Sequence, residues 1–287
     1  MSLYDEDHSA KSLLAQLLHD SRLYQTSEEY YALMKFILKL RNIAPFNAML
    51  LNVQKPGLQY AASKYDWKLR FNRTVKDGSR PLIILWPFSP VALVFDLEDT
   101  EGDPLPESVT DPFRASGSIT NDDIDYYGYL LRKNGIELRL IDYGKGYAGN
   151  VQNTEKDGTE AKFKSDDKKI ASHYIIRVNK GYDSNVKFAT LAHELAHLFL
   201  GHLGPDKHLG IPARPYPSLS IRELEAESVS FLVCSRSGVH SNSESYLADY
   251  VKEHPTVENL DLYAILKAAG KVETILELGE VTRFGPK

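Results

Sequence analysis

The sequence predicts an α+β protein in two parts. A mixed α/β domain covers residues 1–105, a linker covers 106–121, and a mainly helical domain with a small sheet covers 122–287. Three observations carry this division. Apolar residues recur at helical spacing near the N-terminus and again from Asn185 onward. Between them, "RPLIILWPF" and "VALVFDLED" have the β-branched and aromatic content that strands favour. Residues 100–121, "TEGDPLPESVTDPFRASGSITN", are rich in Pro, Gly, Ser and acids, the composition of a boundary. At 287 residues the chain is long enough for two ordinary domains. With 43% hydrophobic and 25% charged residues, it is expected to fold and to be soluble.

The elements follow in order. "KSLLAQLLHDS" places Leu13, Leu14, Leu17 and Leu18 on one face of a short helix. "TSEEYYALMKFILKLRN" starts a second, with Thr26 or Ser27 as N-cap and acids in its first turn. "FNAMLLNVQ" is a third, stopped by Pro56-Gly57. The two strands come next, joined across Pro87 and Pro90. Beyond the boundary, "DDIDYYGYLLRKNG" reads as a helix ending at Gly135, and "IELRLIDY" and "SHYIIRVN" alternate as strands. The polar stretch between those strands, "GKGYAGNVQNTEKDGTEAKFKSDDKK", reads as a loop or an irregular hairpin. One long helix follows from Asn185, a second covers roughly Ser220 to Ser237, and further helical segments run from about Ser243. No internal repeat is present.

Composition also narrows the function. The formal net charge is −5, so nucleic-acid contact would need a local basic patch. A single cysteine, Cys234, rules out a disulfide framework within the chain and fits a reducing compartment. The N-terminus, "MSLYDEDHSAK", is acidic and lacks the apolar stretch of a secretory signal. No window reaches the roughly 18 apolar residues of a membrane helix. These features point to a cytoplasmic protein without a membrane partner.

The segment "TLAHELAHLFLGH", Thr190 to His202, contains H-E-x-x-H as His193, Glu194 and His197. Residues i and i+4 share a helix face, so both imidazoles can reach one ion at about 2 Å. Glu194 lies about 100° further round and can hold a water rather than the ion. The plain alternative is a buried helix that happens to carry two histidines. The helix is otherwise apolar, Gly201 stops it, and a strand-like segment precedes it, all of which favour the metal. A third ligand in the form of a histidine six residues after His197 is excluded, because that position is Leu203. An acid downstream remains. "SIRELEAESVSFLVC" offers Glu223, Glu225 and Glu227, of which Glu223 and Glu227 share a helix face. A solvated acidic face is the plain alternative for this trio. His202, His208 and Tyr216 lie nearby; His202 and Tyr216 are candidate substrate contacts, Tyr216 toward a developing oxyanion. A surface position is the simpler fate of the histidines, and packing that of Tyr216. Cys234 reads as a small hydrophobe of the second helix.

"TLAHELAHLFLGH" followed by "ELEAESVSFL" resembles the gluzincin arrangement of the ImmA/IrrE and ArdC-type metallopeptidases. The resemblance implies a zincin-like domain in which Glu223 is the third metal ligand, Glu227 orients a histidine, and Glu225 is solvated. It implies Zn²⁺, and these ligand types also accept Mn²⁺. It further implies a metallo-endopeptidase with Glu194 as the catalytic base. The expected substrate is a specific protein such as a helix-turn-helix repressor, cut in a stress, phage or mobile-element response.

The first domain also carries a resemblance. "FNAMLLNVQKPGLQYAASKYDWKLRFNRTVKDGSRPLIILWPF" and then "VFDLEDTEGDPLPE" resemble the N-terminal, single-stranded-DNA-binding domain of ArdC-like antirestriction proteins. The residues are compatible with such binding. Lys64, Lys68, Arg70, Arg73, Lys76 and Arg80 crowd one segment, opposed by Asp66 and Asp77, and Tyr60, Tyr65, Trp67 and Phe71 interleave with them. Cations can track phosphates while aromatic faces stack on bases. A mixed-charge hairpin with its aromatics in the core is the plain alternative, above all for Trp67. Two functions therefore stand side by side: a zinc endopeptidase regulated by DNA, and a single-stranded-DNA-binding antirestriction-type protein whose metal site is mainly structural.

Overall fold

The computed structural model describes residue 24 and residues 26–86, 89–106, 119–142, 148–154, 161–162, 171–241, 243, 247, 249–250 and 260–279. The helix expected around Leu13 lies outside them. The chain divides into two units: Met1–Arg114 with Tyr250–Glu258 and Gly279–Lys287, and Ala115–Asp249 with Asn259–Leu278.

In the first unit, helix α1 (Ser27–Lys39) starts at a capping box. The Thr26 side chain accepts from the Glu29 N–H, and Glu29 accepts from the Thr26 N–H, both at 3.1 Å. Helix α2 (Pro45–Gln54) begins with Pro45, whose missing N–H costs nothing in a first turn. Strands β1 (Ala61–Ala62), β3 (Leu82–Trp86) and β4 (Ser89–Asp96) form an antiparallel sheet in the order β1-β4-β3, and β2 (Arg73–Val75) pairs with β5 (Thr100–Gly102). Two amides of α2 dress the outer edge of β3. Asn47 accepts from the Leu85 N–H and donates to its carbonyl, both at 3.0 Å. Gln54 does the same to Ile83, both at 2.8 Å. Residues seven apart on the helix thus satisfy residues two apart on the strand, leaving less exposed edge for another chain.

Helix α3 (Lys64–Phe71) was not expected from the sequence. Its mean hydropathy is low and its apolar residues are mixed with charges. Two local features make it a helix. Ser63 caps it by accepting from the Asp66 N–H, and Asn72 ends it in the left-handed conformation that Asn tolerates. Its inward face buries Trp67 and Phe71 against Tyr60 and Ala62.

In the second unit, helix α4 (Asn121–Arg132) begins at a Thr120–Asp123 capping box. Strands β6 (Ile136–Ile141), β7 (Gly149–Asn153) and β10 (Tyr174–Asn179) form a sheet in the order β6-β10-β7, with β10 parallel to β6 and antiparallel to β7. Between β7 and β10, the short strands β8 (Ala161–Lys162) and β9 (Ala171–Ser172) pair antiparallel. Strand β7 lies in the stretch read as a loop or irregular hairpin. Its sequence, Gly-Asn-Val-Gln-Asn, has one apolar residue, so pairing with β10 rather than propensity makes it a strand. Helices α5 (Ser184–Phe199), α6 (Leu219–Arg236) and α7 (Leu262–Ile275) complete the unit. The core gathers Ile124, Leu131, Ile136, Ile176, Phe188, Leu191, Leu195, Phe231 and Leu232. Among the described residues, no helix is long and apolar enough to cross a membrane.

Candidate metal centre

Helix α5 carries the histidines because its other faces are anchored. Asp183 caps it by accepting from the Val186 N–H at 3.0 Å. Phe188, Leu191, Leu195 and Leu198, spaced by three and four, are all buried. His193 and His197 lie on the flank that meets Glu223 of α6.

There the three side chains converge. His193 Nε2 and His197 Nε2 are 3.1 Å apart, and Glu223 Oε2 lies 3.6 Å from the first and 3.7 Å from the second. One ligand atom from each falls within 4.8 Å of the others, the one such group among the described residues. Two ligand atoms in tetrahedral positions, each about 2.0–2.1 Å from a metal, would be roughly 3.4 Å apart. The observed triangle therefore has the size a tetrahedral ion requires. The donor set, two imidazoles and a carboxylate, suits zinc and accepts other divalent ions. Glu227 Oε1 lies 3.4 Å from His193 Nδ1, where it can hold that ring by its other nitrogen.

Glu194 is only 8% exposed. Burial, and then the charge of Glu223, push its carboxyl up to about 7, against a backbone hydrogen bond from Val151 of β7. A cation in the centre would draw it down again. His197 is pushed the other way, to about 3, by burial and by His193, His202 and Arg222, so its ring is neutral and ready to ligate. A cavity of about 440 Å³ opens beside them, lined by His193, Glu194, Thr190, Glu227, Gly149 and His240 among others. Gly149 is needed there: a Cβ would stand 2.6 Å from both the Arg177 carbonyl and the Thr190 methyl.

Two expectations are corrected. Glu225 is not solvated but wholly buried. Its Oε1 accepts from Arg214 at 2.7 Å and from the Asp261 N–H at 3.3 Å, and its Oε2 lies 3.0 Å from His202 Nε2. Burial pushes its carboxyl up, but His202 and Arg214 outweigh that and hold it below the usual range. The sequence held a signal for this: Glu225 shares the helix face of Ser228, Val229 and Leu232, all buried. His202 is neither on the surface nor among the residues lining the cavity. It is 5% exposed, with Nδ1 2.8 Å from His197 Nδ1. Arg214 and Asp261 were missed altogether, since nothing in their spacing ties them to the motif.

Tyr216 is 68% exposed, and its hydroxyl accepts from Arg222, whose guanidinium also lies 4.4 Å from the ring centroid. His208 is exposed. Cys234 is buried, and burial pushes its thiol up to about 12, which suits a packed residue and not a nucleophile.

The basic segment of the first unit is split by its fold. Trp67 has no exposed surface and donates from Nε1 to the Phe95 carbonyl at 2.9 Å, so its face is closed to a base. Arg70 sits 3.6 Å from the buried Asp66. Arg73 donates to the Thr100 hydroxyl and to the carbonyls of Thr100, Gly102 and Asp103, tying β2 to β5. Lys76 donates to the Glu98 carbonyl at 2.8 Å. Lys64, Tyr65 and Lys68 stay exposed on α3, and Arg80 is exposed beyond β2.

No family model and no curated protein matches the chain. Among solved structures, it is similar to the antirestriction ArdC protein from R388 plasmid in two forms. The Mn(II)-bound structure has a TM-score of 0.40 at 16% identity, over 85% of this chain and 89% of that one. The metal-free structure has a TM-score of 0.34 at 16% identity, over 81% and 82%. At these scores the likeness assigns no family, and the metal centre stands on its own geometry.

Proposed function

We propose that the chain is a divalent-metal-dependent endopeptidase. The observation that supports this reading best is the triangle of His193, His197 and Glu223, with the buried Glu194 carboxyl beside it. A divalent ion held there would polarise a substrate carbonyl and acidify a water. Glu194, buried beside the two histidines, would accept that water's proton and pass it to the leaving amine. Among the described residues, strand β7 is an edge of its sheet, next to α5, and edge strands can pair with an extended peptide. The sequence resemblance suggests a helix-turn-helix repressor as substrate. The test compares tagged wild type with Glu194→Gln in the native host. The expected result is a protein that co-purifies intact with the variant, is cut by wild type, and is cut only when Zn²⁺ or Mn²⁺ is present. Equal cutting by a folded Glu194→Gln would sink the proposal.

A second reading is a single-stranded-DNA-binding, antirestriction-type protein whose metal is mainly structural. The exposure of Lys64, Tyr65 and Lys68 along α3 favours it, since two cations and an aromatic face suit a single strand. It predicts DNA binding that Glu194→Gln leaves unchanged and that falls when Lys64 and Lys68 lose their charge.

A further inference from the structure

We propose that His202, held by Glu225, is a positioning residue: it fixes His197 as the Nδ1–H tautomer and so turns a bare Nε2 toward the ion. This rests on the metal-centre reading, not on peptidase activity.

The backbone brings the two histidines together. Helix α5 ends in a Schellman turn, in which the His202 N–H donates to the His197 carbonyl and the Gly201 N–H donates to the Leu198 carbonyl, both at 3.0 Å. Gly201 supplies the left-handed residue, at φ 75°, that such a turn demands. In this turn the residue after the glycine folds back over the one five places before it. Here those residues are His202 and His197, and a ring-to-ring hydrogen bond takes the place of the apolar contact that often forms there.

With one proton on each ring, two directions of proton donation are open to the chain His197–His202–Glu225. In one, His197 Nδ1–H donates to His202 Nδ1, and His202 Nε2–H donates to Glu225 Oε2. In the other, a protonated Glu225 donates to His202 Nε2, His202 Nδ1–H donates to His197, and His197 carries its proton on Nε2. The second blocks the metal, because Nε2 is the atom facing His193 and Glu223. It also needs a neutral carboxyl against the Arg214 guanidinium, 2.7 Å from Oε1. Arg214 and the Asp261 N–H favour the carboxylate, and the carboxylate selects the first direction. Glu225 thus acts on the metal through two imidazoles, while Glu227 stands directly behind His193.

The first experiment is on metal-free wild type. Long-range ¹H–¹⁵N spectra of the imidazoles, assigned with histidine variants, should place the His197 proton on Nδ1. A proton on Nε2 overturns the proposal. The second measures Zn²⁺ affinity by chelator competition for His202→Phe, which keeps a ring, and Glu225→Gln, which keeps the volume. Each should bind about 10–100-fold more weakly while keeping the wild-type circular dichroism. If Glu225→Gln does not fold, His202→Phe decides, and a folded His202→Phe with wild-type affinity overturns the proposal. Wild type that binds no divalent ion would instead refute the metal-centre reading, with the tautomer spectrum still testing the relay.

Discussion

His197 Nε2 and Glu223 Oε2 come from two different helices and lie 3.7 Å apart. The fold thus brings two potential ligand atoms together before any ion arrives. Replacing Glu223 with Gln keeps its shape and removes its charge. Divalent-metal affinity should fall further than the roughly 10–100-fold expected when an outer partner is lost, and Glu227→Gln should show that smaller loss. Calorimetric titration with Zn²⁺ measures both, and equal effects would argue against Glu223 as the ligand.

Acid should act on the metal-free protein through two opposing groups. His197 titrates near 3 when folded and near 6.5 when unfolded, so between those values the unfolded chain alone takes a proton. Its contribution therefore falls as pH falls below 6.5. Glu194 titrates near 7 when folded and near 4.5 when unfolded, so there the folded protein alone holds a proton. Its contribution falls as pH rises from 4.5 to 7. The two partly cancel between 4.5 and 6.5. Metal-free Glu194→Gln should lose that compensation, and its Tm should climb more steeply than wild type over this range. Parallel Tm–pH curves would count against a raised Glu194.

Trp67 separates core from nucleic-acid contact. Its ring is fully buried against Tyr60 and Phe71, so Trp67→Ala should destabilise the first unit by about 3–5 kcal/mol. Lys64→Gln with Lys68→Gln should leave stability within about 0.5 kcal/mol. Urea denaturation and oligonucleotide titration of the two variants distinguish the roles.

Gly149 holds β7 against α5. In Gly149→Ala the new Cβ would meet a carbonyl that cannot move alone, so β7 must shift. A loss of about 1–3 kcal/mol is expected, together with faster exchange of the Val151 amide that bonds Glu194. An unchanged exchange rate would show that the strand tolerates the methyl.

The β3 edge offers a purely structural test. Asn47→Ala leaves the Leu85 N–H and C=O without their amide partner and should cost about 1–3 kcal/mol. The more exposed Gln54→Ala should cost less, because water can replace its amide at Ile83. Thermal melts of the single variants read this difference.

The elements legible in the sequence are those with strong periodicity. Helices α1, α2, α4, α5 and α6 and strands β3, β4, β6 and β10 fall where apolar spacing put them, with ends displaced by a few residues. Helix α3 and strand β7 were not legible, because neither has an apolar pattern of its own; a Ser63 cap and pairing with β10 make them. His193, Glu194 and His197 were legible because one helix carries them, and the spacing within a helix is fixed by its geometry.

The sequence by itself determined that two imidazoles and a carboxylate share one helix, that acids follow on another, and that Gly201 turns the chain at its end. Tertiary structure alone decided which acid faces the histidines, that Glu225 is buried, that Arg214 and Asp261 complete its bonds, and that Trp67 and Arg73 serve the core and a strand pair rather than a ligand. The reason is physical. Local geometry follows from neighbouring residues, whereas the cost of burying a charge, and the partner that offsets it, depend on chain segments that sequence spacing does not connect.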